Sequence, residues 1–97
     1  MQSITDYISP DSCTSLTELF LARISRSSAT TAYRYFDRIT DQWIDVTWQE
    51  IGSTVDRWRS ALAGENLQIG DRVALMLPNG PDWIAFEQAA LSLGLIV

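Results

Sequence analysis

The residues best placed to do chemistry are Pro78-Asn-Gly-Pro-Asp82, which follow the apolar run Val73–Leu77 and precede a helical pattern. In α/β proteins, ligands commonly sit just past the carboxyl end of such a strand. A phosphate site there needs several inward-turned backbone N–H groups, or a helix N-terminus free of negative charge. This corner has one glycine, Gly80, and it puts Asp82 in the first turn of the coming helix. The Asp82 charge complements the helix dipole and would repel a phosphate. The pattern predicts a plain strand-to-helix corner, with Asn79 or Gly80 as the N-cap and Trp83 in a core or a domain contact.

Elsewhere the reactive inventory is thin. The 97 residues include no histidine and no lysine. The commonest general base, the commonest metal ligand and the Schiff-base amine are therefore missing. So is the lysine of a GxxxxGK[ST] phosphate loop. Cys13 is the one cysteine, which rules out an internal disulfide and any Cys/His zinc cluster. Without a histidine to activate it, Cys13 reads as an unpaired thiol in a polar segment. The net charge of −5, from 12 acidic side chains against 7 arginines, gives no basic patch for nucleic acid or an anionic membrane. Cysteine usage points to a reducing, cytoplasmic setting. Residues 1–12 have neither the basic start nor the apolar stretch of a secretory signal. The longest apolar region, Trp83–Val97, is interrupted by Glu87, Gln88 and Ser92. It is also shorter than the ~20 residues that span a bilayer.

The elements that would position any site are legible. Apolar residues make up 46% of the chain and charged residues 20%, the balance of a soluble globular domain. A chain of this size should bury roughly 60–70% of its unfolded surface. Residues 1–14 are polar and read as a loosely attached leader. Ser15-Leu-Thr-Glu18 is a capping box: the Ser15 hydroxyl accepts from the amide at 18, and Glu18 reaches back. Leu16, Phe20 and Ile24 then recur every fourth residue, predicting a helix over 16–26. Thr31–Arg38 suits a strand, 39–42 a turn, and Trp43–Thr47 alternates, so the two runs form a β-hairpin.

Thr47-Trp-Gln-Glu50 is a second capping box, with Val46 and Ile51 as a hydrophobic staple. Trp48, Ile51, Val55, Trp58 and Leu62 continue it as an amphipathic helix closed by Gly64. Its polar face carries acidic Glu50 and Asp56 beside Arg57 and Arg59, which favours packing on a core over lying on a membrane. Val73–Leu77 is continuously apolar, so both faces should be covered, as in a parallel sheet. A helix over 81–93, stopped by Gly94, leads into the apolar run 95–97. Strand, helix and strand make one right-handed βαβ unit.

Val46-Thr-Trp-Gln-Glu-Ile51 resembles the "Thr-aromatic-x-Glu-leucine" segment near the start of adenylate-forming (AMP-binding) enzymes. Gly70-Asp-Arg-Val-Ala-Leu-Met-Leu-Pro-Asn-Gly80 resembles the next landmark of that superfamily, and Ala89–Val97 the opening of the one after. Trp43, Gly80-Pro-Asp-Trp83 and Glu87-Gln-Ala-Ala-Leu91 look most like the long-chain acyl-CoA synthetase (fatty acid–CoA ligase) branch. The resemblance covers residues 15–97.

It implies a large N-terminal α/β domain followed by a small lid domain. It also implies ATP- and Mg-dependent formation of an acyl-adenylate, then transfer of the acyl group to coenzyme A. The family's phosphate-gripping loop, ribose-binding aspartate and catalytic lysine have no counterpart in these 97 residues. The chain is thus expected to supply no catalytic, cofactor-binding or metal-ligating residue. The expected fold is α/β: amphipathic helices, a β-hairpin and one βαβ unit, forming the start of a larger domain. Residues 15–97 are its incomplete N-terminal portion. Two features carry that expectation: the sequence stops within an apolar run, and the last helix is apolar around most of its girth. The rest of its own synthetase chain is the expected partner, with self-association or strand exchange where apolar surface is left bare. Two other readings fit the same residues: a stand-alone interaction module on this scaffold, or a segment of another adenylating enzyme such as a peptide-synthetase adenylation domain.

Overall fold

In the computed structural model, residues 6–97 are described. The first five residues of the expected leader lie outside them. A short 3-10 turn at Pro10–Ser12 is followed by α1 (Leu16–Ser27), β1 (Thr31–Asp37), β2 (Gln42–Thr47), α2 (Trp48–Ala63) and α3 (Pro81–Ser92). The helices begin where their caps say. The Ser15 hydroxyl accepts from the Glu18 amide, and Thr47 and Glu50 form the full reciprocal capping box. Such a cap contributes about 1 kcal/mol. Glu18 departs from expectation. Its carboxylate accepts from the Thr14 amide at 2.6 Å instead of from Ser15, one residue further out. That bond holds its pKa below the ordinary carboxylate value.

β1 and β2 pair antiparallel from Asp37↔Gln42 back to Thr31↔Thr47, with an irregularity between Thr31 and Tyr33. The loop falls at 38–41, one residue earlier than the spacing predicts. Asp41 takes the left-handed conformation at φ 57°, and the Asp37 carboxylate accepts from the Ile39 amide and the Thr40 hydroxyl. Tyr33, Tyr35, Ile44 and Val46 form the half-buried inner face. Burial pushes the Tyr33 phenol up from its ordinary pKa. Phe36 and Trp43 stack edge-on across the outer face, 5.4 Å between ring centroids.

The core lies where α1, α2 and α3 meet. Ile51 is fully buried, joined by Phe20, Val55, Ala85 and Ala89. Ala85 and Ala89 are one helical turn apart and carry only methyl groups, so α3 can lie close along α2. Trp58 and Phe86 close one side of that contact edge-on at 5.3 Å. Gly52 serves the α1–α2 contact in the same way: a Cβ there would sit 3.1 Å from Ile24 Cδ1.

Four expectations are corrected. The leader is tied down: Arg23 donates to the Asp6 carbonyl and Arg26 to the Tyr7 carbonyl. Leu16, placed by its spacing on the buried face, is 66% exposed, because it lies in the first turn, ahead of the point where α2 and α3 cover α1. Gly64 caps α2 without leaving the right-handed region; the chain turns left-handed at Asn66, φ 59°. Val73–Leu77 is covered on one face only. Val73, Leu75 and Leu77 are half-buried while Ala74 and Met76 are exposed, Met76 at 95%.

The parallel pairing of the βαβ unit is present as one bridge, Arg72↔Ile96. Val73 donates to the Ile96 carbonyl, and Ile96 donates to the Asp71 carbonyl, both at 2.8 Å. No ladder extends along 74–77 among the described residues, since only 95–97 lies alongside. Gly94, at φ 76°, makes the turn from α3 into that partner run. The result is a slab of 44 × 41 × 17 Å with a radius of gyration of 14.7 Å. A compact chain of this length would have a radius of about 12.5 Å.

Candidate functional site

The corner at 78–82 forms as a helix start. Gly80 is the N-cap, Pro81 occupies the first helical position, and Asp82 lies exposed in the first turn. No side chain caps this end. Pro81 has no N–H, so the turn presents one fewer donor than an ordinary helix start, and the Asp82 carboxylate stands where an anion would bind. The geometry does not fit a nucleotide phosphate. The start of α2 is closed to anions for a different reason. Its first three amides are already taken, Trp48 by the Thr30 carbonyl, Gln49 by the Ser28 carbonyl and Glu50 by the Thr47 hydroxyl.

The best-formed concavity is a cleft of about 370 Å³ between the tied-down leader and the helices. Tyr7, Leu16, Leu19, Phe20 and Trp48 give it apolar walls. Arg23 reaches its rim, with its guanidinium donating to the Ser27 hydroxyl at 2.9 Å and to the Asp6 carbonyl. Gln88 lies at its back, and the Gln88 Oε1 is buried without a hydrogen-bond partner. Sequence reasoning did not single out Gln88; its place among apolar helical neighbours was the available signal. The walls hold no nucleophile, general base or carboxylate, so the cleft can offer packing but no acid–base chemistry.

The other polar features are structural. Arg34 and Asp45 pair across the hairpin at 2.6 Å, with both side chains about half exposed or more. The Asp45 carboxylate pushes the Arg34 pKa further up. An exposed pair of this kind contributes at most about 1 kcal/mol. Cys13 is partly buried and carries no disulfide. Among the described residues, no group of three or more His, Cys, Asp or Glu side chains could hold a metal ion. No helix among them is long and apolar enough to cross a membrane.

Capped amphipathic helices, a hairpin and a parallel bridge thus define the opening of a mixed α/β domain, without a reactive centre. Residues 20–97 match the family of AMP-binding enzymes, and the chain belongs to that family. The acetoacetyl-coenzyme A synthetase of Rhizobium meliloti is 43% identical over 51 residues, which are 53% of this chain and 8% of that protein. The chain therefore spans under a tenth of the length of this curated relative.

Among solved structures, the fatty acyl-adenylate ligase of Legionella pneumophila, in complex with acyl adenylate and pyrophosphate, superposes with a TM-score of 0.80 at 20% identity. The match covers 93% of this chain and 16% of that one. At that identity the likeness shows the shared fold alone. A fatty acyl CoA synthetase of Mycobacterium tuberculosis gives a TM-score of 0.68 at 25% identity, over 81% of this chain and 15% of that one.

Proposed function

We propose that this chain is the N-terminal scaffold segment of an ATP-dependent long-chain fatty acid–CoA ligase and performs no adenylation by itself. Membership of the AMP-binding family supports the ligase class. The observation that carries the thioester-forming reading is the 43% identity to a protein named as a coenzyme A synthetase. The Gly80–Trp83 and Glu87–Leu91 segments, and the likeness to a protein named as a fatty acyl CoA synthetase, favour a fatty acid over a short oxo acid.

In such a ligase ATP and Mg supply the activating chemistry and coenzyme A accepts the acyl group. The role of these residues is mechanical. The Ile51-centred core fixes three helices against a hairpin, and the 72–96 bridge begins the sheet on which a larger domain is laid. Cytoplasmic placement goes with this reading, since both the substrate nucleotide and coenzyme A are cytoplasmic pools.

The test uses the complete gene product carrying this chain, with ATP, Mg and coenzyme A, and with acetoacetate, octanoate or palmitate as acid. Thioester formation is expected, with kcat/KM for palmitate at least tenfold above that for acetoacetate. Preference for acetoacetate overturns the substrate assignment. Adenylation without any transfer to coenzyme A overturns the ligase type.

A further inference from the structure

The open edge of the 73–77 run is self-complementary, and we propose that two copies of this chain pair antiparallel along it. The inference goes beyond the ligase reading and rests on different observations. Ile96 bonds to the Asp71 carbonyl and the Val73 amide. Both backbone groups of one residue point to the same side of a strand, and the side alternates with each residue. Residues 71, 73, 75 and 77 thus aim toward the 95–97 run, and 72, 74 and 76 aim away from it. Burial within 73–77 alternates in the same period of two. No backbone partner is present for Ala74 or Met76 among the described residues. The edge is unprotected in the usual ways: no lysine, no bulge, and no charge between Val73 and Leu77.

The sequence chooses the register. A two-fold axis at Leu75 sets Leu75 against Leu75 of the second copy, Val73 against Leu77 and Ala74 against Met76. Ala74 and Met76 then exchange both of their hydrogen bonds, once on each side of the axis. All opposed residues are apolar, and outside them Arg72 meets Pro78 and Asp71 meets Asn79, so no like charges face each other. Shifting the axis to Ala74 would set Leu77 against Asp71 and Met76 against Arg72. Pro78, which has no N–H, ends the ladder and limits the pairing to this segment. The occupant with matching length, polarity and charge is therefore a second copy, through an isologous contact.

Sedimentation of the 97-residue chain at rising concentration tests the proposal. The mass is expected to climb from 10.9 kDa toward twice that value. Met76→Pro removes an N–H that points to the open edge, at a side chain already in solvent. It should leave the circular dichroism spectrum unchanged and weaken dimerisation tenfold or more. An independent check mixes Ala74→Cys with Met76→Cys chains, both in a Cys13→Ser background, under a copper–phenanthroline oxidant. Opposed positions of an antiparallel pair are close enough for a disulfide. Mixed 74–76 dimers should exceed 74–74 and 76–76 dimers several-fold. A chain that stays monomeric at high concentration, or cross-links dominated by like pairs, overturns the proposal. The first of these outcomes would leave the edge for a strand of a longer chain.

Discussion

Replacing Ile51 with alanine is expected to destabilise the fold by about 3–4 kcal/mol, toward the upper part of the range for a fully buried large-to-small change. Ile51 has no exposed surface and is the one large side chain so enclosed among the described residues. It touches all three helices' contributions to the core: Phe20 from α1, Val55 from its own helix, and Ala85 and Ala89 from α3. The alanines cannot extend into the space that is left, so the cavity should stay open. Domains of this size have about 5–15 kcal/mol of total stability, and the loss would consume a large share of it. Urea unfolding checks the value. Ile51→Val should cost only about 1 kcal/mol. An alanine variant within 1 kcal/mol of the parent would show that the three helices do not share one core.

Trp48→Ala should lower the melting temperature by more than about 10 °C, given roughly 4–8 °C per kcal/mol for a domain of this size. Trp48 lies between two rings, 5.9 Å from Phe20 and 5.6 Å from Tyr33. Its amide also donates to the Thr30 carbonyl. One residue thereby joins α1, β1 and the first turn of α2. Truncating it removes the packing while keeping the backbone bond. The expected loss is about 3 kcal/mol, the low end for a tryptophan, because the side chain is only partly buried. Trp48→Phe should recover roughly half, since an aromatic edge still meets both neighbours. An unchanged melt would mean that the hairpin and α1 are held together elsewhere.

The features legible in the sequence were those decided within a few residues. Thr47 and Glu50 announce the start of α2 because their hydrogen bonds close over three positions. The Tyr33 and Ile44 alternation announces the hairpin faces for the same reason. The fate of Val73–Leu77 was not legible, because coverage of a strand depends on what lies beside it. Five apolar residues in a row read alike whether one face is covered or two.

The leader was misjudged on similar grounds. Arg23 and Arg26 read as solvated charges, yet they reach back 17 and 19 residues to backbone carbonyls that composition cannot reveal. As for the candidate site, the sequence showed which chemistry is missing, and Asp82 shows why the glycine corner is not a phosphate cradle. The apolar cleft at Phe20 and Trp48 exists only once three separate segments converge. Family membership was carried by short motifs at the element boundaries, Thr47–Ile51 and Gly70–Gly80. There the capping box and the strand-to-helix corner constrain the residue types.

The central claim is that these residues are framework and that the adenylating machinery lies in no part of them. ATP–pyrophosphate exchange by the purified 97-residue chain, with Mg and palmitate, measures it most directly. The account predicts no exchange above a protein-free blank at any ATP concentration. Saturable, palmitate-dependent exchange by this chain would contradict it.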